Sequence, residues 1–290
     1  DPAEVFRRGL AAVGYAGEIL CRSELRQRGM DCEEQFRSRI IASIRDRRRP
    51  VIAHGVIGPP EECIVTGYDE GGDVLIGWNF FQSFTACNAG VAYEPGGYFR
   101  KRNWAGDTWS LVLIGDRLAP PDPKLVCRDA LSFAVDVVRT PCRYGDRHNG
   151  LAAYDAWAEH LLRDEDFATD DTGRLDLRFG VHDDAVGTVA EGRWYASVFL
   201  AQAAAGDAGL PAPRLYAAAA CYAAEHDLMW QVWRLVGGIG RSPERARKLA
   251  DPETRRQIVP IIRAARAKDQ EAIEHRSEEH TSELQSPNTI

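Results

Sequence analysis

The sequence contains no apolar run of the ~20 residues that a membrane-spanning helix needs. The nearest approach, residues 212–224, is alanine-rich and interrupted by Arg214. Neither a Gly-x-Gly-x-x-Gly pattern nor a phosphate loop occurs, and Gly237-Gly238-Ile239-Gly240 follows a helical stretch, so it reads as a helix C-cap. No repeat of about 20–50 residues and no secretory signal pattern is visible. No two of the seven cysteines (Cys21, Cys32, Cys63, Cys87, Cys127, Cys142 and Cys221) have a C-x-x-C spacing, and their number is odd. That argues against a disulfide framework or a zinc ribbon and for reduced thiols in the cytoplasm. Basic blocks are also missing. Arg47, Arg48 and Arg49 lie at a helix end, where cations suit the dipole. With a formal net charge of −7, the expected partners include neither nucleic acid nor membrane. Lysine is scarce beside arginine and alanine is abundant, as in GC-rich bacterial coding sequence.

Both ends carry expectations of their own. Residues 276–286 back-translate codon by codon into a common short-read library adaptor, so residues 276–290 are expected to be an adaptor-derived, disordered tail outside the fold. The first residue is not Met, and Asp1-Pro2 reads as a cap and first helical position. The expectation is a fragment of a longer, metagenomic reading frame.

What is present changes period along the chain. Residues 2–13 form an amphipathic pattern with Val5, Leu10 and Val13 on one side, and residues 18–22 suit a short strand. Asp31 and Glu34 make a capping box for a helix to about Arg47, with Phe36, Ile40, Ile41 and Ile44 on its buried face. Short strands follow at 50–54, 63–68 and 74–78, the last two joined by a turn in which Gly71 and Gly72 supply positive φ. After a long aromatic, glycine-rich loop comes a strand at 109–114. Pro120-Pro121-Asp122-Pro123 then marks a boundary, beyond which helices are expected at 123–139, 149–163, 183–204, 212–236, 243–249 and 252–274. Asp122, Asn149, Asp183 and Asp251 are the expected caps, and Trp157, Trp194, Trp230 and Trp233 are expected to fill a bundle core. The division is residues 1–119, residues 120–275 and the tail.

The stretches Arg49-Pro50-Val51-Ile52-Ala53, Ile64-Val65-Thr66-Gly67-Tyr68-Asp69 and Leu75-Ile76-Gly77-Trp78-Asn79 resemble the sheet half of bacterial C39-type cysteine-peptidase-like proteins. They are similar in particular to the butirosin-biosynthesis-protein-H-like group. The helix opening Asp129-Ala130-Leu131 and the stretch Gly150 to Trp157 match that group's helical C-terminal region. The resemblance implies an α+β fold: a partial papain-like antiparallel sheet with helices, followed by an α-helical bundle. It implies transfer of an aminoacyl group from a carrier protein to an amine through a thiol, with that nucleophile upstream of Asp1. It needs no cofactor, and its substrate is a small molecule or is carried on a protein. Asn79 falls at the orienting position. The histidine position, five or six residues before Gly67, holds Glu61 or Glu62. A carboxylate of ordinary pKa, about 4.3, is a weak base for a thiol near 8.5. His54, on the preceding strand, is the nearest imidazole and reads either as reaching the cleft from a neighbouring position or as a satisfied core or loop histidine, the commoner case.

The candidate catalytic residues are therefore Asn79, Glu62 and His54, and the candidate binding residues are Trp78, Tyr98 and Trp104. Two functions follow: a cysteine-dependent acyl transferase or hydrolase, not a conventional protease; or a papain-like cleft without chemistry that binds a small molecule or peptide. Cys63 reads either as a reactive thiol or as a buried strand cysteine, the commoner case. His182-Asp183-Asp184 with Glu191 resembles part of a metal site, but adjacent residues do not share a helix face, and no metal is assigned. Glu225-His226-Asp227 reads as a solvated helix face. His148 and His160 have no partner at ligand spacing.

Overall fold

A computed structural model describes residues 2–58, 61–206 and 210–277. The fold is α+β and separates between Asp122 and Pro123 into two compact units, close to the proline-rich boundary read from the sequence. The adaptor-like residues 278–290 lie outside the described residues, while Arg276 and Ser277 continue the last helix.

The first unit opens with α1 (Pro2–Ala12), β1 (Tyr15–Cys21), α2 (Arg22–Gln27) and α3 (Cys32–Arg47). Asp31 caps α3 by accepting the backbone N–H groups of Glu33 and Glu34, as its sequence predicts. Six strands follow: β2 (Val51–His54), β3 (Glu62–Asp69), β4 (Val74–Trp78), β5 (Val91–Tyr93), β6 (Phe99–Arg102) and β7 (Ser110–Arg117). They form one sheet with β1 in the order β1-β7-β2-β3-β4-β6-β5, and every neighbouring pair is antiparallel. The sequence pattern predicts only loop over residues 79–108, yet β5 and β6 lie there. Each is only three or four residues long, too short to show an alternating pattern.

Alternation along each strand sorts side chains between the two faces. Val51, Ala53, Cys63, Val65, Leu75, Phe99, Leu111 and Leu113 face inward and pack with Leu25, Phe36 and Ile40 from α2 and α3. A bulge between Val65 and Gly67 lets β3 change face. Gly77 has no room for a side chain. A Cβ there would come within 2.3 Å of the Ile64 carbonyl and 2.8 Å of the Phe99 ring.

The second unit consists of α4 (Pro123–Arg139), a hairpin of β8 (Cys142–Tyr144) and β9 (Arg147–His148), then α5 (Leu151–Leu161), α6 (Thr172–Ala205), α7 (Ala212–Val236), α8 (Pro243–Ala250) and α9 (Pro252–Ser277). Phe179, Val186, Met229, Val232, Ile258 and Ile262 belong to its larger apolar core. Among the described residues no helix is long and apolar enough to cross a membrane. Gly237, at φ +97, closes α7 as expected.

Several local expectations need correction. Asp183 does not cap a helix; α6 already begins at Thr172 under an Asp171 cap. Asp183 instead accepts the Trp233 indole N–H at 2.8 Å and the Gly240 N–H at 3.2 Å. Asn149 is displaced from the α5 cap by Gly150, and its amide donates to the Thr140 carbonyl at 2.8 Å. Of the four tryptophans assigned to the bundle core, Trp233 is buried and Trp157 packs against the core. Trp194 and Trp230 are exposed, flanking His226 on the surface.

Candidate functional site

On its outer face the sheet of the first unit carries a row of exposed apolar and aromatic side chains. Register places them side by side: Ile52 opposite Ile64, and Ile64 opposite Trp78. Tyr98 immediately precedes β6, one position beyond the Gly77–Phe99 pair. Ile64, Trp78, Tyr98 and Trp109 are each 42–55% exposed. His54 lies directly opposite Glu62 in the β2–β3 ladder, and its ring meets Trp109 at 5.7 Å between centroids. Gly55 permits that meeting, since a Cβ there would lie 2.6 Å from the Asp107 carbonyl and 3.3 Å from the Trp109 ring. Glu62 is exposed. Four of the candidate residues, His54, Glu62, Trp78 and Tyr98, thus share one surface.

Asn79 does not join them. It follows the outward-facing Trp78 and turns inward, where it is 1% exposed. Its Oδ1 accepts the Phe81 N–H at 2.7 Å, and its side chain meets the Tyr93 hydroxyl at 3.3 Å, which in turn bonds Asn88 at 3.1 Å. The Cys63 sulfur also hydrogen-bonds the Asn79 side chain and the backbone of Ile57. Both contacts would favour a thiolate, but burial outweighs them, and the negative charges of Glu62 and Glu61 add to it. The thiol is pushed up to about 11. The expected gathering of Asn79, Glu62 and His54 is therefore corrected: one strand pleat separates them, because residues of opposite parity leave a sheet on opposite faces. At pH 8, iodoacetamide should alkylate exposed Cys142 well before Cys63, as read by peptide mass spectrometry. Early labelling of Cys63 would mark it as the activated thiol.

Trp104 is also relocated. It is 1% exposed, and its indole N–H donates to the Gly72 carbonyl at 2.9 Å, so it holds a turn instead of presenting a ring. A cavity of about 410 Å³ beside it is lined by Glu33, Arg37, Asp73 and Arg102. Arg37 pairs with Asp73 and Arg102 with Glu70, so most of the charge on its walls is internally compensated.

The second unit holds a buried polar cluster that is not visible as a motif. Tyr154 donates to Glu225 and lies 3.2 Å from Asp269. Arg193 bonds Asp269 and approaches Glu225 at 3.3 Å. Glu225 and Asp269 are both fully buried. Burial pushes the Glu225 carboxyl up to about 8; Arg193 pulls it down and Asp269 pushes it further up. The solvated face expected for Glu225-His226-Asp227 is thus wrong for Glu225. Its burial comes from helices distant in sequence, which the local pattern does not reveal. His182 is 4% exposed; its Nδ1 accepts the Trp157 indole N–H at 3.1 Å, and burial lowers it to about 4. It is a neutral core histidine.

No protein-family model and no curated protein matches the chain.

Proposed function

We propose that the first unit is a recognition module whose outer sheet face binds a small organic amine with an apolar body. The observation that supports this is the row Trp109, His54, Glu62, Ile64, Trp78 and Tyr98 on one face. Aromatic faces attract organic cations through their quadrupoles. Glu62 adds a carboxylate that has no ion-pair partner among the described residues. Apolar rings beside an exposed carboxylate suit an ammonium group on an apolar body better than an anion.

Acyl transfer of the butirosin-H-like kind is the second reading. It shares the amine, as acceptor, and is favoured by the strand motifs that carry the resemblance. It requires a base beside Asn79, and the groups that meet the Asn79 side chain are the buried Cys63 thiol and the Tyr93 hydroxyl. Binding is the better supported function because its determinants, the exposed row on the outer sheet face, lie among the described residues.

Titration with benzylamine and with neutral benzyl alcohol, followed by tryptophan fluorescence, tests the amine assignment. Benzylamine should bind about two- to fivefold more tightly, the range of one exposed ion pair. Glu62→Gln should erase that preference, and Trp78→Ala should weaken both ligands. Equal affinity of the two probes for the native protein would refute the amine assignment.

A further inference from the structure

The second unit brings three side chains of different ligand chemistry together. Glu271 and His275 stand four residues apart on α9, one turn along a single helix face. α7 packs against α9 and sets Cys221 opposite them. A sulfur, a carboxylate oxygen and an imidazole nitrogen lie within 4.8 Å of one another. Cys221 is buried, and its thiol hydrogen-bonds the Glu271 side chain. The His275 Nε2 is 3.9 Å from the Glu271 Oε1, while Lys268 donates to the Glu271 Oε2 at 2.7 Å.

We propose that Cys221, Glu271 and His275 form a divalent-metal site of the zinc class, with a fourth position open to water. One sulfur, one nitrogen and one oxygen donor suit tetrahedral zinc with three protein ligands. A thiolate disfavours the hard cations magnesium and calcium, which take oxygen ligands. Ligands around zinc stand roughly 3.5 Å apart. Closing from the present spacing requires only rotation of Glu271 and His275, whose side chains are 47% and 39% exposed. Metal binding replaces the thiol hydrogen: a sulfur–metal bond forms, the S–H bond breaks, and its proton leaves to solvent. Lys268 then gives up the carboxylate.

Two ordinary explanations compete. A buried cysteine packs as a small apolar group, and Glu271 makes common helix-surface pairs with Lys268 and His275. Neither accounts for a sulfur and an imidazole converging on the same carboxylate. Part of the site is legible in sequence as the Glu-x-x-x-His spacing at 271 and 275. Cys221 is not, because its position depends on how α7 packs.

The test is a Co²⁺ titration of the full chain, followed by the near-ultraviolet thiolate-to-cobalt charge-transfer band, with Zn²⁺ as competitor. One equivalent should produce the band, and zinc should remove it. Cys221→Ser should abolish the band. His275→Gln, on an exposed helix face that leaves the core intact, should weaken binding about tenfold or more. Lys268→Met should strengthen it several-fold by freeing Glu271. A band that persists in Cys221→Ser, binding indifferent to His275→Gln, or no band in the native protein each overturns the proposal.

Discussion

Glu225→Gln should make the protein more stable than the native chain at pH 9 and no more stable at pH 4. The native carboxyl is held at about 8 in the fold, against an ordinary value of 4.5. Below 4.5 the folded and unfolded states are both protonated. Between 4.5 and 8 the unfolded chain releases a proton that the folded chain keeps, so stability falls as pH rises through this window. Above 8 the loss is complete. Each pKa unit corresponds to about 1.4 kcal/mol, so the full swing is on the order of 5 kcal/mol. Part of that will not be recovered. The glutamine oxygen can keep the Tyr154 hydroxyl, but its NH₂ then faces Arg193, whose guanidinium approaches Glu225 at 3.3 Å. The groups facing position 225 are Tyr154, Arg193 and Asp269, with Cys221 one turn away on α7. Asp269 remains as the counter-charge for the half-buried Arg193, so the variant does not leave that cation unpaired. A net advantage of about 2 kcal/mol at pH 9 is expected. Urea unfolding of both proteins at pH 4, 6, 8 and 9 measures it. Parallel profiles across that range would mean that Glu225 is ionised in the fold.

The cluster also shows where sequence reasoning reaches its limit. Periodicity locates α4 and α7 at their observed bounds, 123–139 and 212–236, because Pro123, Pro213 and Gly237 punctuate them. It finds β3 and β4 because the Gly71-Gly72 turn separates two short apolar stretches, and β2 as a short apolar stretch after Pro50. It starts α6 late, because Asp183-Asp184 resembles a helix start and Gly173 and Gly180 interrupt the pattern before it. Burial of Glu225 and Asp269 beside the half-buried Arg193 depends on three helices meeting, and their separation in sequence carries no local mark. In the first unit the same distinction explains the site. The strand positions of His54, Glu62, Trp78 and Asn79 are legible. Which residues share a face requires the β2–β3 and β3–β4 registers, and a change of one residue moves a side chain to the other side of the sheet. Trp104 reads as a ligand-facing ring because its loop is aromatic. Its indole N–H needs an acceptor, and burial against the Gly72 carbonyl supplies one.

Asn79→Ala should cost about 2–4 kcal/mol, while Glu62→Ala should cost less than about 1 kcal/mol. The Asn79 amide is the inward latch of the segment after β4. Removing it orphans the buried Phe81 N–H and takes away a partner of the Tyr93 hydroxyl and of the Cys63 thiol. Glu62 is solvated and supports no packing. The two residues should therefore separate cleanly: stability is lost at 79 and benzylamine preference at 62. Asn79→Asp sharpens the comparison. A carboxyl can accept the Phe81 N–H as the amide does, but burial disfavours its charged form and raises its pKa above that of the unfolded chain. Its contribution is then greatest below the unfolded value and is lost as pH rises through the folded one. The Asn79→Asp variant should thus be tolerated at pH 4 and damaged at pH 8. Urea midpoints at the two pH values supply the measurement. If Asn79→Ala unfolds at the native midpoint, the latch is not structural, and Asn79 returns as an orienting group for chemistry on the inner face. If both Asn79 variants are destabilised in the stated order while amine binding still depends on Glu62, the two faces of the sheet have separate roles: the inner one fixes the fold and the outer one meets the ligand.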